Sequence, residues 1–304
     1  MSSGEHIRQS PRKWHQRFLT DPLVALPTFL FWKLFQILPV RTASVIGGYL
    51  GAFLGCFLYR RNHIGMVNLR IAFPEKTEAE RRQILKKMWR HWGRFFAEMP
   101  HAQTLYKRAE KRGAFYLARV IKGGRGGFVC SAHLGNWEPA VSQPLFGDFC
   151  LNPVYRRANN PWLDKLMFQR RKGILIPKGV VGARRMVEIL KNNGVIVMLC
   201  DQKLREGITV PFFGKPAQTA PGIAVLSLKF GAPIIMARSV RQPDGHLLME
   251  ATEPLKMPQE KDKDKAVLEI MTEINRRLES WIRENPEQWL WIHRRFDKSE
   301  YAKK

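Results

Sequence analysis

The sequence predicts an α/β sandwich with a largely parallel mixed sheet, preceded by an N-terminal membrane-anchoring helical segment. First, short apolar segments alternate with segments of helical periodicity from about residue 126 onward, which is typical of βαβ units. Second, the chain has 304 residues, of which 45% are hydrophobic and 25% charged, so a folded core is expected rather than disorder. Third, residues 22–59 contain only two charged side chains, Lys33 and Arg41.

The apolar stretch divides into two candidate helices, 23–40 and 42–59, and about 20 apolar residues are needed to cross a bilayer core. Three arrangements stay open: one spanning helix with the second at the interface or on the domain, a shallow hairpin in one leaflet, or two buried helices of a soluble protein. The stretch is preceded by basic residues (Arg8, Arg12, Lys13 and Arg17). It contains glycines at every fourth position, which allows close helix approach in lipid (Gly47, Gly51 and Gly55).

Residues 1–62 are therefore expected to form a basic N-terminus and membrane anchor, and residues 63–304 one catalytic α/β domain. Thr77 and Glu80 form a capping box, which predicts a helix that continues to Glu98. The predicted strands are 128–130, 151–155, 173–176, 195–200, 233–240 and 246–251. The predicted helices are 137–145, 161–172, 181–192, 221–230 and 263–284.

The charge balance points to an anionic partner. The chain has 51 Lys and Arg against 26 Asp and Glu, a formal net charge of +25. Such a field attracts phosphate, anionic lipid or an acidic protein, and composition alone does not choose among them. Nucleic-acid binding is disfavoured, because neither a helix-turn-helix nor an RNP-like aromatic pattern is present. The widely spaced cysteines predict neither a zinc site nor a disulfide scaffold, and no metal or cofactor is expected (Cys56, Cys130, Cys150 and Cys200).

Residues 126–138 are the most informative segment for function. A buried strand delivers His133 to its carboxyl end, Gly135 permits a sharp turn, and Asn136 is a suitable N-cap for the helix that follows. With His133 in the loop and Glu138 in the first helical turn, the two side chains can converge. A carboxylate would then fix the imidazole tautomer and stabilise the imidazolium. The alternative is a solvated histidine and a glutamate that interacts only with the helix dipole.

The spacing His133-x4-Glu138 resembles the H-x4-[DE] motif of glycerolipid and lipid A acyltransferases, in the glutamate form of the lipid A late acyltransferases (lauroyl/myristoyl transferases). The resemblance runs from about residue 68 to 296 through further landmarks, in the family's order. These are NLRIAFPE at 68–75, VYRRANNPWLD at 154–164, DQ at 201–202, VPFFG at 210–214, TAPG at 219–222 and PEQWLWIHRRF at 286–296.

The resemblance implies a glycerolipid-acyltransferase-like fold and an O-acyltransferase that uses acyl-acyl carrier protein or acyl-CoA as donor. The acceptor would be a hydroxyl of a lipid A precursor of the Kdo2-lipid IVA type, in lipopolysaccharide biosynthesis. His133 would be the general base and Glu138 its orienting group. Residues expected to contact substrate are Arg156 and, second, Arg171 for the oxyanion, Asp201 for the active site or a helix cap, Phe213 and Gly214 for an acyl channel, and Asn160.

The implied partners are an acidic acyl carrier protein, an anionic membrane surface and a phosphorylated glycolipid acceptor, and not nucleic acid. The implied location is the bacterial inner membrane, with the catalytic domain facing the cytoplasm. Two other functions stay open: acylation of another glycolipid, such as a phosphatidylinositol mannoside, and, less favoured, basic nucleic-acid binding.

Overall fold

A computed structural model describes residues 20–143, 149–168 and 171–302. The predicted basic segment with Arg8, Arg12, Lys13 and Arg17 lies outside the described residues. Residues 144–145 of the predicted helix 137–145 and residues 169–170 of the predicted helix 161–172 also lie outside them. The helices are α1 Asp21–Ile37, α2 Val40–Cys56, α3 Tyr59–Ala72, α4 Glu78–Glu98, α5 Ala102–Arg108, α6 Ala114–Lys122, α7 Glu138–Ser142, α8 Pro161–Phe168, α9 Val180–Lys191, α10 Gly222–Phe230 and α11 Lys263–Glu284. The strands are β1 Glu110–Arg112, β2 Gly127–Ser131, β3 Asn152–Tyr155, β4 Ile176–Pro177, β5 Val195–Leu199, β6 Lys203–Phe212, β7 Lys215–Thr219, β8 Ile234–Arg241 and β9 Leu247–Pro254.

Seven of the described strands form one mixed sheet in the order β1-β9-β8-β2-β5-β3-β4. Strand β2 pairs in parallel with β5 and β8, and among the described strands of this sheet only β8 and β9 pair antiparallel. The prediction of a sheet dominated by parallel strands is confirmed. A separate antiparallel hairpin, β6–β7, was not predicted, because its charged and proline-containing strands lack a clear alternation.

The central strand β2 is buried along its whole length, which is why its sequence is a continuous apolar run rather than an alternating one. Phe128 and Cys130 belong to the main core on one face of the sheet. Val129 packs on the other face, with Val197 of β5 and Leu117 of α6. Because β2, β5 and β3 run parallel, their carboxyl ends lie at one shared edge of the sheet.

The N-terminal helices α1 and α2 are separate 17-residue helices. Among the described residues no single helix has both the length and the hydropathy of a membrane span, while α2 and α3 together reach that length but are bent by 95°. The expected boundary at 62/63 falls inside α3, because Arg60 and Arg61 end the apolar run without ending a helix. Large apolar side chains of α1 and α2 are exposed (among them Leu23, Leu30, Leu34, Ile37, Tyr49, Phe53 and Leu54).

The regularly spaced glycines of α2 serve close packing against α4 within the protein. A Cβ atom at Gly51 would lie 2.5 Å from the Trp89 carbonyl oxygen and 2.6 Å from Gly93 Cα. A Cβ at Gly47 would lie 2.3 Å from the Ala97 side chain. The glycines do allow a close helix approach, to α4 of the same chain, while an approach within lipid stays a prediction. The predicted capping box between Thr77 and Glu80 is present at the start of α4.

Candidate active site

His133 follows the end of β2, and its ring is fixed by the Asp201 carboxylate. Nδ1 donates a hydrogen bond of 2.8 Å to Asp201 Oδ1, and the His133 backbone N–H donates one of 2.9 Å to Asp201 Oδ2. The cause lies in the sheet register. Ser131 of β2 is paired with Leu199 of β5, so the residues two positions further on meet at the same edge. One carboxylate therefore holds both the main chain and the ring of His133.

Asp201 is buried and yet ionised. Burial raises the pKa of this carboxyl, but attraction to His133, the two hydrogen bonds from His133 and a third from the Trp289 indole outweigh it and lower the pKa to about 2. The indole bond, from Nε1 to Oδ2, measures 2.7 Å. An ionised carboxylate only accepts hydrogen bonds, so the tautomer of a neutral imidazole at this position has its proton on Nδ1 and its lone pair on Nε2.

The lone pair of Nε2 is the feature that gives the site its chemistry. The Gln202 side-chain amide lies 3.2 Å from it, and the Trp137 ring meets the imidazole edge-on, with centroids 5.2 Å apart. A neutral histidine backed by a buried carboxylate can accept a proton from a hydroxyl and share the resulting charge. The arrangement is therefore that of a general base.

The predicted pairing of Glu138 with His133 is wrong, since the carboxylate that bonds Nδ1 is Asp201. Glu138 instead forms an ion pair with Arg171, through a short Nη2–Oε1 bond and an Nε–Oε2 bond of 3.3 Å. Their side chains are only 6% and 7% exposed. The local spacing of the motif could not reveal Asp201, because the pairing of β2 with β5 is a long-range property of the fold.

The loop that carries the motif is braced from two neighbouring segments. Gly135 has φ = +66°, and a Cβ there would lie 1.8 Å from the Ser239 carbonyl oxygen, so only glycine fits. The Gly135 N–H donates to the Gln288 carbonyl (3.0 Å) and the Asn136 N–H to the Ser239 carbonyl (2.8 Å). The loop is therefore fixed through its main chain.

Asn136 was expected to be an N-cap, but its amide donates to the buried carboxylate of Glu98 (2.9 Å), which also accepts from Arg241. His91 lies 3.2 Å from the Gly135 carbonyl through Nε2. Burial, with the nearby Arg241 charge, lowers the pKa of His91 to about 3, so its neutral ring donates to that carbonyl. Sequence reasoning missed these three supporting residues, since they lie in other elements and follow no recognised spacing.

The remaining predicted site residues have mixed outcomes. Arg156 is exposed beyond the end of β3 and stays a prediction. Asn160 has a structural role, because its Oδ1 accepts from the Trp162 and Leu163 N–H groups at the start of α8. Its Nδ2 donates to the Asp21 carbonyl (2.7 Å), which ties α8 to α1.

Phe213 and Gly214 form the turn between β6 and β7, with φ of 49° and 71°. The Phe213 ring is buried against Phe73 and Trp291 in the main core. Neither residue lines the two cavities beside the motif. The expectation of an acyl channel at this turn stays a prediction, and the contacts of the Phe213 ring are those of a core residue.

Two cavities border the motif. The first, here called the sheet cavity, has a volume of about 200 Å³ and is mostly apolar, with lining that includes Ser131, Trp137, Ala140, Val141 and Val197. The second, here called the α1 cavity, has a volume of about 510 Å³ and is lined by residues that include Trp32, Ala102, Glu138, Met167 and Lys172. Trp137 and Glu138, adjacent in the chain, thus face different cavities.

Within the part of the chain that the structure describes, no three His, Cys, Asp or Glu side chains come together as metal ligands would.

Comparison with known proteins gives a consistent result. The family described as "Bacterial lipid A biosynthesis acyltransferase" matches residues 10–298. A lipid A biosynthesis palmitoleoyltransferase of Escherichia coli (strain K12) is 28% identical over 277 residues, which cover 85% of this chain and 86% of the relative. A lipid A biosynthesis lauroyltransferase of the same organism is 28% identical over 309 residues, covering 94% and 92%. A phosphatidylinositol mannoside acyltransferase of Mycobacterium tuberculosis (strain CDC 1551 / Oshkosh) is 25% identical over 160 residues, covering 47% and 50%.

Proposed function

Because the chain belongs to the bacterial lipid A biosynthesis acyltransferase family and is an O-acyltransferase, we propose that it moves a fatty acyl chain from acyl-acyl carrier protein to a lipid A precursor. The acceptor is a hydroxyl of a precursor of the Kdo2-lipid IVA type. The observation that carries the proposal is the His133–Asp201 pair at the carboxyl ends of β2 and β5, where the His133 ring contacts Trp137, a residue that lines an apolar cavity.

In the proposed reaction, His133 Nε2 takes the proton of the acceptor hydroxyl as its oxygen attacks the thioester carbonyl carbon. A carbon–oxygen bond forms and a tetrahedral oxyanion results. The carbon–sulfur bond then breaks, and the departing thiolate takes the proton from the imidazolium. Asp201, ionised and 2.8 Å from Nδ1, stabilises the charged ring between these two steps.

The sheet cavity is the proposed site of the donor's acyl chain. It lies beside β2 and β5, and it includes Ser131, two residues before the base, and Trp137, whose ring meets the imidazole. Its lining is mostly hydrocarbon, and burying a methylene group contributes about 0.8 kcal/mol. A chain threaded there would leave its thioester near His133.

The proposed partners follow from charge and exposed apolar surface. The formal net charge of +25 favours an acidic carrier protein, a phosphorylated acceptor and an anionic bilayer. The exposed apolar side chains of α1 and α2, such as Leu30 and Phe53, suit contact with lipid at the inner membrane, with the domain on the cytoplasmic side. No metal or organic cofactor has a role in the proposed steps.

Purified enzyme with acyl-acyl carrier protein and Kdo2-lipid IVA provides the test, read by mass spectrometry of the lipid product. We expect the acceptor to gain the mass of one acyl group. His133→Ala is expected to reduce kcat by about 10²- to 10⁴-fold, which is the usual contribution of general acid–base catalysis. Transfer only to a mannosylated phosphatidylinositol, or transfer undiminished in His133→Ala, would contradict the proposal.

A further inference from the structure

We propose that Gln202 is a catalytic residue of this site, whose side-chain amide holds the base in the free enzyme and then stabilises the oxyanion. The inference rests on the proposed function. Its starting observation is the 3.2 Å contact between Gln202 Nε2 and His133 Nε2, the nitrogen that must accept the proton.

The chemistry of the neighbours determines which end of the amide faces the ring. The ionised Asp201 can only accept a hydrogen bond from His133 Nδ1, so in the neutral ring that a general base requires, the lone pair is on His133 Nε2. A lone pair attracts the N–H of the amide and repels its oxygen. Gln202 therefore donates to the base in the free enzyme and occupies the place that the acceptor hydroxyl takes up during reaction.

The main chain on both sides of Gln202 is fixed, so only its side chain need move. The preceding residue, Asp201, is held by three hydrogen bonds. The following residue, Lys203, donates its backbone N–H to His293 Nε2 (3.1 Å) and its Nζ to the Phe296 carbonyl (3.0 Å). Rotation about the side-chain bonds of Gln202 is sufficient for the exchange.

The distances favour a second role for the displaced amide. A hydroxyl that hydrogen-bonds Nε2 lies about 2.6–3.2 Å from it, and the carbon it attacks lies about 3–3.5 Å further on. An amide nitrogen that starts 3.2 Å from Nε2 is within reach of the oxygen on that carbon. The hydroxyl that takes its place at His133 thus frees an N–H donor next to the developing negative charge.

The two arginines expected at the oxyanion are less well placed for it. Arg156 is exposed beyond β3, and Arg171 is engaged with Glu138 through both Nε and Nη2. A neutral amide also leaves the charge balance of the His133–Asp201 pair unchanged. Removal of one oxyanion donor typically lowers kcat by about 10²- to 10³-fold.

The test compares Gln202→Ala and Gln202→Glu with wild type and with Gln259→Ala, a matched control at an exposed glutamine in the segment before α11. Gln202→Glu keeps the size of the side chain and removes its N–H donors. We expect kcat to fall by about 10²- to 10³-fold in both Gln202 variants. KM for the acceptor should stay within a few-fold, and the thermal unfolding temperature should stay unchanged.

A merely structural role would lower the unfolding temperature or raise KM, and a kcat of Gln202→Ala close to that of Gln259→Ala would overturn the inference. A kcat of Gln202→Glu close to that of wild type would also overturn the inference, since the glutamate carboxylate offers no N–H donor. If wild type transfers acyl groups and His133→Ala does not, the proposed function stands whatever Gln202 does. If wild type itself transfers nothing, the proposed function fails instead.

Discussion

At the scale of single residues, one buried carboxylate organises the chemistry. Asp201 accepts hydrogen bonds from the ring and the backbone of His133 and from the Trp289 indole, so it orients the base and is itself held in place. Such a network is costly to leave half-satisfied, because each buried donor without a partner costs about 1–3 kcal/mol. The identity of the acid behind the base is therefore open to a direct test.

Replacement of Asp201 by asparagine should reverse the tautomer of His133. The amide can place its N–H₂ group toward Nδ1, which would move the ring proton to Nε2 and remove the lone pair. We expect kcat to fall by about 10⁴-fold, as for the aspartate of a serine-protease triad. Steady-state thioester consumption measures it. A matched Glu138→Gln variant that loses far more activity than Asp201→Asn would contradict the assignment.

The same substitution should alter stability in acid. The pKa of Asp201 is lowered from 3.8 to about 2, so the folded state gains stability from this group above about pH 4 and loses it as pH falls through about 2. Urea unfolding of wild type and Asp201→Asn at several pH values between 4 and 2 measures the difference. The stability of wild type should fall more steeply in this window, and parallel curves would argue against an ionised Asp201.

At the scale of elements, the sheet and its helices determine what can reach His133. Within the described residues, the sheet cavity lies against β2 and β5 and is bordered by α7, which carries Trp137 at its start and Ala140 and Val141 within it. The α1 cavity lies on another side of α7, against α1 and α8. Helix α7 thus separates an apolar space from a more polar one, which suits an acyl chain and a glycolipid respectively.

Filling the sheet cavity should shorten the acyl chains that the enzyme transfers. Ala140→Phe adds a ring to the lining, while Ala102→Phe adds the same ring to the α1 cavity and serves as the control. Each methylene that no longer fits costs about 10- to 200-fold in kcat/KM. We expect the longest accepted donor to lose at least about tenfold relative to shorter donors in Ala140→Phe alone. Equal shifts in both variants would exclude the sheet cavity as the acyl site.

The sequence predicted strands that overlap six of the seven described strands of the sheet, but it missed β1 and the order in which the strands pair. Apolar runs located β2 and β5, and the capping box at Thr77 marked the start of α4. The order β2-β5 joins residues 68 positions apart, and no local period encodes it. For that reason the sequence left Asp201 between two roles and paired His133 with Glu138, whereas in the structure His133 Nδ1 bonds Asp201.

Helix α2 shows the same division between local and long-range information. The spacing of Gly47, Gly51 and Gly55 predicted close approach to another helix, but it could not name α4 as the partner. Close packing on α4 still leaves large side chains of α2 exposed, such as Tyr49 and Phe53. The close packing and the exposed apolar surface thus both follow from how small and large side chains are distributed around α2.

At the scale of the whole molecule, charge and exposed apolar surface point to the same partner. The formal net charge is +25, and each basic residue near an anionic bilayer contributes about 1 kcal/mol. Exposed apolar side chains on α1 and α2 add a contribution that does not depend on salt. An anionic bilayer is therefore expected to bind the protein through two separable contributions, one electrostatic and one apolar.

Co-sedimentation with vesicles can separate these terms. We expect wild type to bind vesicles that contain anionic lipid more strongly than neutral vesicles. Raising the ionic strength from about 0.1 M to about 1 M shortens the screening length from about 10 Å to about 3 Å, so this preference should largely disappear. The double variant Leu30→Glu/Phe53→Glu should lose the binding that persists at high salt, while Leu268→Glu, at an exposed leucine of α11, should keep it. Equal loss of high-salt binding in both variants would contradict the apolar contact of α1 and α2, because the added negative charge alone would then explain the loss.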